Sequence, residues 1–212
     1  MAAVVWSIAP LRAHALGEPH YVANSPATGA FALVNDRIAA PILVSGSDWL
    51  DVIRAVGDLS SDINRATGFP PSVLLTRADL HVHDVVIIGT SGMSPLIEDL
   101  IRSHKLDVRG VAGKWESAVT TIVHRPILGV RHALVIAGSG KRGAIFGIYD
   151  LSEQIGISPW YWWADARVQL SVSQMVFFLS HSNLSPVNER CQAVACLFTS
   201  CIACPHRIKS TQ

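Results

Sequence analysis

The sequence predicts an α/β domain whose sheet is mixed or mostly parallel and is flanked by helices. Uninterrupted apolar runs, at residues 85–88 and 132–137, are typical of buried parallel strands. Amphipathic segments alternate with these runs along the chain, as in α/β proteins. Half of the 212 residues are hydrophobic and 16% are charged, which excludes a disordered chain.

The first part of the chain predicts a hairpin and then a helix. Phe31–Val34 and Pro41–Val44 are short apolar runs separated by Asn35 and Asp36, and we expect them to pair. Ser47 is the expected cap of the helix that follows, and Gly68 is its expected end. The expected apolar stripe of this helix comprises Leu50, Ile53, Val56, Leu59 and Ile63.

The middle of the chain predicts further strands and helices in alternation. Ser72–Thr76 and Val85–Ile88 are expected strands, and a third lies within Trp115–Val123. Ser94 is the expected cap of a helix with Pro95 at its first position, where no backbone donor is needed. The apolar face expected for this helix comprises Leu96, Ile97, Leu100 and Ile101.

The last predicted unit is a strand, a turn and a helix. His132–Ala137 is the strand, Gly138-Ser139-Gly140 is the turn, and Ala144–Ile155 is the helix. The six residues from Gly138 to Gly143 match G-x-G-x-x-G, the pattern of a dinucleotide-binding turn. No credible strand ending in an acidic residue follows, so we expect a tight strand-to-helix turn and no cofactor, with nucleotide binding as an alternative.

Charge gives little indication of a macromolecular partner. The formal net charge is +1, so the chain has no electrostatic footprint for nucleic acid or an anionic membrane surface. No segment approaches the roughly 18 consecutive apolar residues of a membrane-spanning helix. We therefore expect neither nucleic acid nor membrane among its partners.

Composition divides the chain into three parts. Residues 1–19 are expected to be a weak signal peptide or a disordered start, because Ala13-His14-Ala15 resembles a processing site. Residues 20–171 form the predicted α/β domain. Residues 172–212 hold all four cysteines and few charges, and we expect this tail to be unstructured.

One histidine pattern and one cysteine pattern are candidates for metal sites. His81-Val82-His83 places two imidazoles on one face of an extended segment, but no third ligand is evident. Cys201 and Cys204 resemble half of a zinc knuckle or a redox pair, and the spacing of the remaining cysteines fits no standard site. No metal is predicted.

Aromatic residues form the most unusual segment of the sequence. Trp160, Tyr161, Trp162 and Trp163 follow a proline, and each can bury about 150–250 Å². Such a run must pack against another domain, against a sugar, or within a cluster that closes the fold. Trp160, Tyr161 and Trp162 are the candidate substrate-binding residues, with packing against another domain as the alternative. Trp115 fits a sugar contact, an interdomain contact, or a half-buried aromatic with solvated neighbours.

Four segments resemble the N-terminal domain of glycoside hydrolase family 115, the xylan α-1,2-glucuronidases. They are Val86–Thr90, Ser94–Ile97, Gly113–Ser117 and, most specifically, Ala133–Asp165. The resemblance covers about residues 20–170. It implies an accessory α/β domain that precedes a (β/α)₈ barrel in enzymes that remove glucuronic acid or its 4-O-methyl ether from xylan.

The resemblance places the catalytic carboxylates in the barrel, which needs on the order of 200 residues. No catalytic residue is therefore assigned here, and the fragment is expected to be inactive alone. The implied partners are the missing barrel and glucuronoxylan, and the implied location is extracellular. The alternative is a non-catalytic carbohydrate-binding module.

The tail departs from the family pattern at Val172-Ser173, whose codons can contain an intron donor. We hypothesise that residues 172–212 are read through from an unspliced intron or come from a wrongly assigned gene model.

Overall fold

A computed structural model describes residues 21–23, 30–77, 80, 82–157 and 176–177. The helices are α1 (Leu50–Thr67), α2 (Pro95–Arg102) and α3 (Lys141–Gln154). The strands are β1 (Val22–Ala23), β2 (Phe31–Ala32), β3 (Val34–Asn35), β4 (Ile38–Ala39), β5 (Ile42–Val44), β6 (Val73–Leu74), β7 (Asp84–Thr90), β8 (Ala118–His124), β9 (His132–Gly138) and β10 (Val176–Phe177).

The central sheet has five strands in the order β6-β5-β7-β9-β8. The first four strands run parallel, and β8 pairs antiparallel with β9 at one edge. Helices cover both faces. The predicted α/β class with a mixed sheet is therefore confirmed.

Alternation along the two central strands divides the core between the faces of the sheet. Val86 and Leu134 lie in one buried cluster with apolar residues of α1 and α3. Val85 and Val135 point the other way and lie in a second cluster with α2. Because both faces are covered, these strands are apolar at nearly every position, as in other buried parallel sheets.

The predicted hairpin between Phe31–Val34 and Pro41–Val44 is wrong. The hairpin joins β3 to β4 instead, and Asp36 and Arg37 at its tip have positive φ angles of 49° and 68°. All three residues of β5 are buried, and β5 pairs parallel with β6 and β7. A strand that is buried on both faces lies in the interior of a sheet. β5 therefore pairs with β6 and β7 and not with the Phe31–Val34 segment.

Helix α1 ends where the sequence predicts but begins differently. Gly68 closes it in the left-handed region, with φ 80°, and its N–H bonds to the Asn64 carbonyl. The N-cap is Trp49, because the hydroxyl of Ser47 pairs with that of Ser45 at 2.8 Å. Leu50 is 81% exposed and does not contribute to the predicted stripe.

Helix α2 begins at Ser94 and Pro95 as predicted, yet the Ser94 side chain does not cap it. Its hydroxyl is buried and has no hydrogen-bond partner among the described residues. Replacing a serine cap by alanine ordinarily costs about 1 kcal/mol. We expect Ser94→Ala to cost less than about 0.5 kcal/mol, because no cap bond is lost. Urea unfolding of the full chain measures this, and a larger loss would indicate a partner in solution.

Small antiparallel strands lie outside the central sheet. β10 pairs with β1 and β2, although residues 176 and 177 belong to the expected tail. Near this point, the Tyr21 hydroxyl donates to the Asp150 carboxylate on α3 at 2.7 Å. The expected boundaries at residues 19 and 171 stay predictions.

Candidate functional site

The strand order places a topological switch between β5 and β7, because the chain leaves these neighbouring strands in opposite directions along the sheet. In open α/β sheets, ligands bind outside the carboxyl ends of strands at such a point. Four segments meet there, and we call them the carboxyl edge: residues 45–51, 91–98, 115–117 and 139–142.

Asp48 joins two of these segments. Its side chain accepts the Trp49 N–H at 2.7 Å and the Thr90 N–H at 2.8 Å. Asp48 is 5% exposed and Thr90 is 1% exposed, so the bond between them is shielded from water. The carboxylate therefore fixes the start of α1 to the end of β7.

Glu98 has a similar role in the neighbouring loop. Its carboxylate accepts the Gly92 N–H at 2.7 Å and lies 3.5 Å from the Ser91 hydroxyl. Gly92 has φ 79°, a conformation that glycine adopts without strain. The loop after β7 is thus held by the first turn of the helix that follows it.

The N-terminus of α3 is flanked by two ion pairs. Lys141 Nζ lies 2.7 Å from Asp51 and also stands over the Trp49 ring, 5.8 Å from its centre. Arg142 lies 2.6 Å from Glu116, whose side chain is 11% exposed. Both basic side chains at this helix N-terminus are therefore already paired with carboxylates, and neither cation is left unpaired for a pyrophosphate.

The glycines of the G-x-G-x-x-G match are explained by close packing. A Cβ on Gly138 would lie 2.0 Å from the Ala144 nitrogen, and one on Gly143 would lie 2.2 Å from the Ser117 carbonyl oxygen. A Cβ on Gly140 would meet nothing within 4 Å. The first and last glycines therefore let α3 approach the sheet, as expected for a tight strand-to-helix turn.

The carboxyl edge also exposes large apolar side chains. Trp115 is 80% exposed, Leu50 81%, Trp49 44% and Met93 41%. Single exposed apolar residues are common, but several on one edge indicate an interaction surface. Two tryptophans here fit either a protein contact or a stacked sugar.

Three groups on α1 and α3 have raised pKa values and bind other side chains. Burial raises the pKa of Asp150, and its bond from Tyr21 opposes that shift. Burial also raises the pKa of Asp62, against hydrogen bonding and the charge of Arg65. Burial and Asp58 raise the pKa of Tyr149 to about 12.

Several predicted site residues lie outside the described residues: Trp160, Tyr161, Trp162, His81, Cys201 and Cys204. Their roles stay predictions. Within the described ranges, no group of three or more His, Cys, Asp or Glu residues is arranged to hold a metal ion. No described helix is both long enough and apolar enough to cross a membrane.

One open pocket lies at the opposite, amino edge of the sheet. It has a volume of about 740 Å³, and its lining includes His83, His124 and His132. Of these three, only His83 belongs to the His81-Val82-His83 pattern, which resembles a metal-binding pair. The other two come from β8 and β9, whose antiparallel register places His124 opposite His132.

The fold and the match to a solved glycosidase define a class: a mixed α/β domain related to part of a glycoside hydrolase. The solved protein is a family 115 4-O-methyl-α-glucuronidase with specificity for decorated arabinogalactans, with 26% sequence identity and a TM-score of 0.54. The similarity covers 74% of this chain and 18% of that chain. No family model and no curated protein matches the sequence.

Proposed function

We propose that residues 20–171 form a non-catalytic accessory domain of an α-glucuronidase that removes glucuronic acid or its 4-O-methyl ether from polysaccharides. The observation that carries this proposal is the similarity to the family 115 glucuronidase at 26% identity. Because this chain corresponds to 18% of that protein, the enzyme's activity is assigned to a catalytic body elsewhere in the parent protein.

The contacts of the carboxyl edge support a non-catalytic role. Glycoside hydrolysis uses two carboxyl groups about 5–9.5 Å apart on either side of the bond. Asp48 and Glu98 accept backbone N–H groups, while Asp51 and Glu116 pair with basic residues of α3. Each of these carboxylates has a partner within the domain, which favours structural roles for all four.

The exposed side chains of the same edge support it as the surface that contacts the catalytic body. Trp49 and Trp115 are large, exposed apolar groups in two segments of the carboxyl edge. Each tryptophan can bury about 150–250 Å² against a partner. A contact here would remove both tryptophans from water.

The first test is activity and binding of the full chain. Incubation with glucuronoxylan is expected to release no glucuronic acid, and titration should give no saturable change in tryptophan fluorescence. Release of glucuronic acid would contradict the non-catalytic role. A saturable change that disappears in Trp115→Ser would instead favour a carbohydrate-binding module.

The second test concerns the parent protein. Transcripts and genomic DNA covering codons 160–180 and beyond should encode a barrel downstream, and its absence would refute the proposal. In that longer protein, Trp49→Ser with Trp115→Ser should lower the melting temperature and the rate of glucuronic acid release. Leu128→Ser is the matched control, since Leu128 is fully exposed at the amino edge.

A further inference from the structure

The pocket at the amino edge is rich in basic groups. Five of its seven lining residues are histidines or arginines: His83, His124, Arg125, Arg131 and His132. Its volume of about 740 Å³ is in the range of small-molecule sites, roughly 300–1,000 Å³. The pocket could therefore hold a ligand the size of a single sugar.

Backbone and lysine contacts hold the frame of this pocket. The His83 carbonyl accepts the N–H groups of Arg131 at 2.8 Å and His132 at 3.1 Å. The Arg125 N–H donates to the Arg131 carbonyl at 2.8 Å, and Lys105 Nζ donates to the Arg125 carbonyl at 2.6 Å. All four bonds are accepted by backbone carbonyls, and none of them uses the guanidinium of Arg125 or Arg131.

Little negative charge opposes these cations. The Asp84 carboxylate lies 3.0 Å from Nδ1 of His132. The other ring nitrogen, Nε2, is not the one that contacts Asp84. The His124 ring meets the His132 ring edge to face at 5.2 Å. Among the described residues, no carboxylate forms an ion pair with Arg125 or Arg131.

We propose that the amino-edge pocket binds an oxyanion, with Arg125 and Arg131 as its principal ligands. A guanidinium donates two parallel hydrogen bonds to a carboxylate, sulfate or phosphate group, and such charge-assisted bonds are stronger than neutral ones. The shared chemistry is a compact group with several negatively charged oxygens. The site does not depend on the proposed function, which places no ligand at this edge.

Calorimetric titration of the full chain tests this proposal with sodium glucuronate, sodium sulfate and neutral xylose. Xylose should give no heat, and at least one of the two anions should bind. Tighter binding of glucuronate than sulfate identifies an acidic sugar as the source of the anion, and equal binding identifies a simple oxyanion. No binding by either anion, or equal binding by xylose, overturns the proposal.

Variants locate the site. Arg131→Gln should weaken anion binding about tenfold or more, whereas Arg54→Gln, an exposed arginine on α1, should leave it unchanged. Circular dichroism and melting temperature confirm that each variant is folded. Equal affinities in Arg131→Gln and Arg54→Gln would place the anion elsewhere and overturn the proposal.

Discussion

Replacing Gly138 by alanine is expected to destabilise the full chain by about 3 kcal/mol or more, or to prevent folding. The new Cβ would lie 2.0 Å from the Ala144 nitrogen and 2.6 Å from its Cα. Both atoms belong to the backbone of α3, so no side chain can rotate away to make room. The helix would have to move off the strand that it covers. Urea unfolding followed by circular dichroism measures the loss.

Gly140→Ala is the matched control within the same turn. Gly140 has an extended backbone with φ −164°, and a Cβ there meets nothing within 4 Å. Its replacement should cost less than about 1 kcal/mol, which is the scale of changes at an N-cap. If both variants lose the same stability, close packing does not explain the glycine pattern.

Sequence patterns were most informative where one residue type has one physical use. The run Val85–Ile88 is apolar without interruption, and only a strand covered on both faces needs that composition. Gly68 ends α1 because glycine alone adopts the left-handed cap without strain. Both features depend on local chemistry, so the sequence was sufficient.

The errors arose where long-range packing decided the structure. The run 41–44 has the same composition whether it pairs in a hairpin or enters a parallel sheet, and the pairing partners Val73 and Val86 are distant in sequence. Leu50 fits a helical stripe by spacing, but it occupies the first position of α1 and is exposed. Position within the fold overrides periodicity at such places.

The basic pocket could not be predicted for the same reason. His83, His124 and His132 are brought together by the order of β7, β9 and β8 in the sheet. In the sequence, His83 is distant from the other two, and His124 is separated from His132 by a loop. They come together because β9 pairs with both β7 and β8. Asp84, next to His83, and His124 each lie opposite His132.

Replacing Asp48 by alanine is expected to cost about 2–3 kcal/mol of stability. Its carboxylate accepts two backbone N–H groups, and the one from Thr90 is almost fully buried. Without the carboxylate, that N–H would be left without an acceptor and without water. Asp48→Asn keeps one acceptor oxygen and should lose less. Urea unfolding gives the stability change, and hydrogen exchange at Thr90 should accelerate in Asp48→Ala.

Asp51→Ala is the control, because Asp51 has an exposed side chain whose ion pair with Lys141 should contribute less than about 1 kcal/mol. A large loss in Asp48→Ala beside a small one in Asp51→Ala would identify the Asp48 carboxylate as a structural tie across the switch point. Equal losses in the two variants would contradict that role, because the buried bond to Thr90 would then contribute no more than an exposed ion pair.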